Sequence, residues 1–151
     1  MQDLKITCIQ SDLFWEDKTK NLNMFSEKIE SIKQPTDIIV LPEMFPSGFT
    51  MNVEQMGETM DGATMKWLSQ QAHNTECVIT GSLIVKDNDG YFNRLIWMQP
   101  DGNFYTYDKR HLFRMMNEDH YFSPGKLKLI VEWKGWRICP LICYDLRFPV
   151  W

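Results

Sequence analysis

The stretch Asp37-Ile38-Ile39-Val40-Leu41-Pro42-Glu43 decides the fold. Its apolar run is continuous rather than alternating. That pattern marks a strand covered on both faces, which belongs in a parallel sheet flanked by helices. Upstream, Leu4-Lys5-Ile6-Thr7-Cys8-Ile9-Gln10 alternates apolar and polar residues and reads as a strand. Between Asp17 and Lys33, Leu22, Phe25, Ile29 and Ile32 recur at steps of three and four, which predicts an amphipathic helix with Pro35 just past its end. Strand, helix and buried strand make a βαβ unit, and its crossover is right-handed.

Downstream, Pro42 to Asn52 has Pro, Gly and Ser without a period and reads as a loop at the carboxyl end of the second strand. A second helix is predicted over Gly62 to His73, with Met65, Leu68 and Ala72 on one face. Cys77 to Val85, Tyr91 to Met98 and Asn103 to Tyr107 are β-rich runs. The turn signals Asp87-Asn88-Asp89-Gly90 and Pro100-Asp101-Gly102 separate them. Asp108 to Pro124 is irregular and polar, and Leu127 to Glu132 and Trp136 to Ile142 read as strands around a Lys134-Gly135 turn. The expectation is a mixed α/β fold with helices on a sheet that holds both parallel and hairpin-linked strands.

The composition fits a folded enzyme-sized domain better than a binding tail. The chain has 151 residues, 44% hydrophobic and 24% charged, enough to bury a core without disulfides. Sixteen Lys and Arg against twenty Asp and Glu give a net charge of −4, which argues against a nucleic-acid partner. The longest apolar runs, such as Ile38 to Pro42, fall far short of the ~18–20 residues of a membrane span. Met1-Gln2-Asp3-Leu4-Lys5 does not open a signal peptide, so a cytoplasmic protein is expected. The four cysteines, Cys8, Cys77, Cys139 and Cys143, read as free thiols, three of them within apolar strand-like runs. Cys139 and Cys143 have no second pair at zinc-ligand spacing, so no metal site is expected.

Three ionisable or nucleophilic residues stand at predicted strand ends, where open α/β sheets place their sites. Glu43 follows the buried strand, Lys109 follows Tyr107-Asp108, and Cys143 follows Pro140-Leu141-Ile142. Singly, each has an ordinary reading. Glu43 would be a solvated loop acid, Lys109 part of a surface cluster with Asp108 and Arg110, and Cys143 an inert core thiol. A thiol at a strand-to-turn bend also matches a nucleophile elbow, where the next backbone N–H can stabilise an oxyanion.

Taken together, Leu41-Pro42-Glu43, Tyr107-Asp108-Lys109-Arg110-His111-Leu112-Phe113 and Cys143-Tyr144-Asp145-Leu146-Arg147-Phe148-Pro149 resemble the motifs of the nitrilase superfamily of carbon–nitrogen hydrolases in order and separation. The resemblance covers essentially the whole chain. It implies a four-layer α-β-β-α sandwich and a catalytic Glu, Lys and Cys. It also implies a second acid shortly before a Ser-Pro-Gly turn; Ser123-Pro124-Gly125 is present, and Glu118, with Asp119 beside it, takes that role. Phe14-Trp15-Glu16-Asp17, Glu43 to Phe49 and Trp136 to Trp151 look closest to the bacterial omega-amidases, which hydrolyse 2-oxo dicarboxylic acid monoamides to the diacid and ammonia.

On that reading Glu43 is the general base, the Cys143 thiolate attacks the amide carbon, and Lys109 with the Tyr144 N–H stabilises the oxyanion. Glu118 holds Lys109 and the substrate in place. His73, His111 and His120 are structural or surface residues, and no metal or organic cofactor is needed. Arg147 and Arg114 are candidates for the far carboxylate of the substrate, since Arg matches carboxylate geometry. Phe45, Phe49 and Phe113 are candidates to line an apolar pocket. The partners implied are a small amide, water and a second copy of the chain, as a homodimer or larger. Rival readings are a nitrile or carbamoyl-amine hydrolase, or a catalytically silent fragment that serves as a structural or binding module. Family members of about 250 residues fit one α/β domain. Residues 1–151 are therefore expected to be one such domain, incomplete after the Cys motif, with an apolar sheet face left uncovered.

Overall fold

The unbroken apolar run forms an inner strand of a five-stranded sheet. The computed structural model describes residues 2–88 and 90–151. In chain order the sheet holds β1 (Ile6–Cys8), β2 (Ile38–Val40), β3 (Val78–Asp87), β4 (Gly90–Met98) and β5 (Phe104–Asp108), and they lie side by side in that order. β1, β2 and β3 are parallel, with Thr7 opposite Ile39 and Ile39 opposite Ile79. β3, β4 and β5 are antiparallel.

β2 is covered on both faces, as its composition requires. Ile39 packs into a cluster with Phe25, Ile29, Leu68 and Ala72 on the helical side. Ile38 packs on the other face with Trp97, Tyr107, Val131 and Ile142. Burying each such side chain is worth about 1.5–3 kcal/mol, which an alternating strand would gain on one face only.

The helical layer is α1 (Lys18–Glu30) and α3 (Ala63–Thr75); the short α2 (Val53–Met56) lies between them in sequence. Asp17 caps α1 by accepting the Lys20 N–H at 3.0 Å. Asn21, fully buried in α1, binds both backbone groups of Phe14 and donates to Pro46 O, each at 2.8 Å. It thereby fastens the β1–α1 loop to the loop that follows β2. Met65, Leu68 and Ala72 are the buried apolar face of α3, as the period predicts.

The remaining elements are a 3-10 turn at Arg114–Met116, α4 (Glu118–Tyr121), β6 (Val131–Trp133), β7 (Trp136–Ile138) and a 3-10 turn at Cys143–Arg147. β6 and β7 form a hairpin on the sheet face away from α1 and α3. Its turn puts both Lys134 (φ 48) and Gly135 (φ 81) in the left-handed region, the form whose twist suits a two-residue hairpin. Helix layer, large sheet and second sheet thus stack as in the expected sandwich. Among the described residues, α1 and α3 are the only helices longer than five residues.

The differences from the sequence reading are local. β6 and β7 are shorter than the predicted strands, and Cys139 to Ile142 lies outside any ladder; Pro140 has no N–H to give one. α4 falls in the segment Asp108 to Pro124, read as irregular, and α2 falls between the predicted loop and the predicted second helix. Of the cysteines, only Cys77 is buried, and burial pushes its thiol pKa up. Cys8, expected in an apolar run, is exposed. In the β3–β4 turn Asp87 pairs with Gly90, while Asp89 of the predicted signal lies outside the described residues.

Phe25 is fully buried between α1 and the sheet, edge-on to Phe45 at 5.6 Å between ring centres. Phe25→Ala is expected to lower stability by about 3–5 kcal/mol in urea unfolding; a loss under about 1 kcal/mol would show that α1 does not depend on it.

Candidate active site

Glu43 is delivered by a sharp reversal after β2. Leu41 N–H still bonds Thr80 O at 2.7 Å, but Met44 turns to φ 47 and its N–H goes to Ser82 Oγ at 2.9 Å. Phe45 N–H follows to Ser82 O at 3.1 Å. These bonds pin the loop to β3 and hold the Glu43 carboxylate beyond the carboxyl edge of the parallel strands.

Lys109 follows β5, and its side chain is completely buried. Its Nζ lies 2.7 Å from Glu43 Oε1 and 2.8 Å and 3.1 Å from the two oxygens of Glu118. Its three N–H donors therefore face carboxylate oxygens. Burial works against the ammonium, but the two carboxylates outweigh it, and the Lys109 pKa is raised. The Phe49 ring lies 5.4 Å from Nζ. The surface-cluster reading of Lys109 does not hold. Asp108 and Arg110 point elsewhere, Asp108 into two bonds with Arg94 and Arg110 to Gly125 O.

Glu118 opens α4 and is fully buried; its Oε2 also accepts the Phe113 N–H at 2.6 Å. Asp119, its neighbour in sequence, is exposed and pairs with Arg114 at 3.4 Å. The two acids are thus told apart by burial. The Ser-Pro-Gly turn then brings Gly125 against the end of β5, with its N–H on Lys109 O at 2.9 Å. A Cβ on Gly125 would lie 2.0 Å from Asp108 O, so only glycine allows that approach.

Cys143 begins the last 3-10 turn at φ 42. A non-glycine residue held there stores about 1–3 kcal/mol of strain, which the surroundings must overcome. Asp145 does so. It is fully buried and accepts from Tyr107 OH (2.8 Å), the Ile142 N–H (3.2 Å) and the His111 N–H (2.8 Å), with His111 Nδ1 a further 2.8 Å away. It ties the Cys143 turn to β5 and to the segment carrying Lys109. Burial and the Asp145 charge push the Tyr107 hydroxyl pKa upward. The Tyr144 N–H donates to no backbone carbonyl among the described residues.

The Cys143 thiol pKa is raised, first by partial desolvation of the sulfur and then by the nearby charge of Glu43, with Lys109 pulling the other way. A cavity of about 370 Å³ is lined by Glu43, Cys143, Leu41, Leu95 and Leu141. An open groove on the other side of Cys143 carries Phe113, Tyr144 and Arg147. Arg114 belongs to a neighbouring cleft and is already paired with Asp119. Phe45 is placed in the core, fully buried against Phe25 and Trp67, so it does not line a pocket; Phe49 is the aromatic ring beside Lys109.

Sequence reasoning missed Asn93, Tyr107 and Asp145. Asn93 carried a signal, a lone carboxamide in the middle of a strand-forming run where Asn is disfavoured. Among the described residues, no group of three His, Cys, Asp or Glu side chains is placed to hold a metal ion, and no helix is long and apolar enough to cross a membrane.

The family model for carbon–nitrogen hydrolases matches residues 5–150, and the chain belongs to that family. It is 47% identical over 151 residues to an omega-amidase, YafV, of Yersinia enterocolitica, covering 100% of this chain and 58% of that protein. It is 30% identical over 150 residues to a 2-oxoglutaramate amidase of Bacillus subtilis, covering 97% of this chain and 58% of that protein. The crystal structure of a carbon–nitrogen hydrolase superfamily protein from Xanthomonas campestris, with an arsenic adduct in its active site, superposes with a TM-score of 0.96 at 44% identity. That match covers 99% of this chain and 57% of the other. The chain thus spans a little under three-fifths of the length of these relatives, and its fold is the nitrilase-type fold expected from the motifs.

Two outcomes follow from the site geometry. Asp145→Ala leaves buried donors unpaired at about 1–3 kcal/mol each, so a total loss of about 3 kcal/mol or more is expected in urea unfolding, against under 1 kcal/mol if the cage is unimportant. The pH midpoint for alkylation of Cys143 by iodoacetamide is expected above the ordinary cysteine value of about 8.5. It should move higher still in Lys109→Met, because the lysine charge favours the thiolate; an unchanged or lower midpoint would contradict this.

Proposed function

We propose that the complete protein is a thiol-dependent amidase that forms a Cys143 thioester. The observation that supports it is the buried Lys109 ammonium, bridged by Glu43 and Glu118 beside a thiol on a strained turn. In this reading Glu43 takes the thiol proton and the sulfur attacks the amide carbon. The Lys109 ammonium and the Tyr144 N–H stabilise the oxygen that gains charge. The C–N bond breaks as Glu43 returns the proton to nitrogen, and ammonia leaves. Water then gives a proton to Glu43 and attacks the thioester; the C–S bond breaks, the acid departs and the thiol is restored. Glu118 transfers no proton. It fixes Lys109, whose position sets where the oxyanion forms.

The substrate class we infer is a 2-oxo dicarboxylic acid monoamide. The similarity to the omega-amidase of Yersinia enterocolitica and the 2-oxoglutaramate amidase of Bacillus subtilis supports this choice. Arg147, exposed on the groove beside Cys143, is the guanidinium free to meet the far carboxylate, with Phe113 lining the same groove. The same reading includes a cytoplasmic protein that self-associates.

Cys143→Ala should release no ammonia from 2-oxoglutaramate while keeping its fold, and intact-mass spectrometry of wild type with substrate should show an acyl adduct on Cys143 alone. An adduct elsewhere, or activity without Cys143, would sink the proposal. Lys109→Met should lose about 100-fold or more in kcat. A parallel panel of nitriles and carbamoyl amines tests the substrate class; faster turnover of either would replace the amide assignment.

A further inference from the structure

Asn93 lies at the middle of β4, opposite Ile84 of β3, and is completely buried. Its carboxamide nitrogen donates to Glu43 Oε1 at 2.8 Å and to Glu118 Oε1 at 3.1 Å. Its backbone oxygen accepts the Lys109 N–H at 2.9 Å. One residue thus touches all three charged members of the site. The next residue, Arg94, turns the opposite way to bind Asp87 and Asp108.

The carboxamide has two N–H donors at a fixed angle in one plane. With one on each carboxylate, the separation of the two acids is set by covalent geometry. The reverse orientation would aim its oxygen at two carboxylate oxygens, so the acids themselves dictate the orientation. That choice has a visible cost. Among the described residues Asn93 Oδ1 is buried with no partner, a state that normally demands an explanation. A carboxamide here also holds two negative groups together without adding charge to a site where two carboxylates already outnumber one ammonium.

We propose that Asn93 is a positioning residue whose carboxamide clamps Glu43 and Glu118 around Lys109, so that Glu43 faces the Cys143 thiol. This rests on the thioester mechanism proposed above. Asn93 touches no substrate atom in that mechanism. Its loss misorients the base and leaves the binding groove intact.

The test is steady-state ammonia release from 2-oxoglutaramate by Asn93→Ala and Asn93→Asp in the full chain, with active sites counted by iodoacetamide titration of Cys143. Asn93→Asp keeps the size but replaces a donor with a third acid. The expected result is a kcat per titrated site lower by about 10- to 100-fold, the scale of one hydrogen bond to a charged group, with KM changed less than about threefold. A merely structural role would reduce the number of titratable sites and leave kcat per site unchanged. A kcat per site within twofold of wild type overturns the proposal.

If both variants fail to fold, the wild type still decides. In asparagine-labelled protein, both carboxamide hydrogens of Asn93 should exchange slowly with water, and their resonances should move in Glu118→Gln. Fast exchange overturns the clamp. Cys143→Ala separates the thioester mechanism from the clamp. If it retains activity, the thioester mechanism fails. If it is inactive while the Asn93 variants match wild type, only the clamp fails.

Discussion

The structure depends on one buried charge. Taking the Lys109 ammonium out of water costs several kcal/mol, and its attraction to Glu43 and Glu118 offsets that only if the geometry is good. The three groups come from the loop after β2, the end of β5 and the start of α4. The sheet must therefore be in register and the connections at their proper lengths before the charge is neutralised. Removing one carboxylate would leave the others badly matched, and breaking such a pair costs about 3–5 kcal/mol. A site with this requirement constrains the fold as strongly as the core does.

Around that charge the protein uses rigid backbone devices. Ser82 on β3 holds the reversal that presents Glu43, and Gly125 lets the chain press against the end of β5. Asp145 holds the Cys143 turn in a conformation the residue would not choose alone. In each case the device is a hydrogen bond or a missing Cβ, and its effect is to fix a side chain of the site relative to a strand end.

The elements legible in the sequence were those governed by long-range periodicity or continuous burial. The apolar run of β2, the three-four spacing of α1 and the turn dipeptides each act through a repeated physical signal. Glu43, Lys109, Cys143 and Glu118 were picked out as a set by the resemblance of their motifs to those of the carbon–nitrogen hydrolases, and the structure brings Glu43, Lys109 and Glu118 into hydrogen-bond contact. Asn93 and Asp145 were harder to see, since each acts by bonding to partners remote in sequence: Asn93 to Glu43 across 50 residues and Asp145 to Tyr107 across 38. Phe45 was misread because an aromatic two residues after Glu43 can point to either side of a loop, and the sharp turn at Met44 sends it into the core. Cys8 was misplaced for a related reason: alternation in a strand identifies two faces without saying which one meets the interior.

The 66-residue separation between Glu43 and Lys109 also bears on how the chain acquires its reactivity. Contacts this distant form late, after the entropy of closing long loops has been met. Until those contacts form, none of Cys8, Cys77, Cys139 and Cys143 has the Glu43 carboxylate and the Lys109 ammonium assembled beside it. Closure of the sheet brings that machinery to Cys143 alone. Completion of folding is therefore the event that sets this pair beside the Cys143 thiol, and the surroundings it creates hold that thiol more firmly protonated than in the open chain.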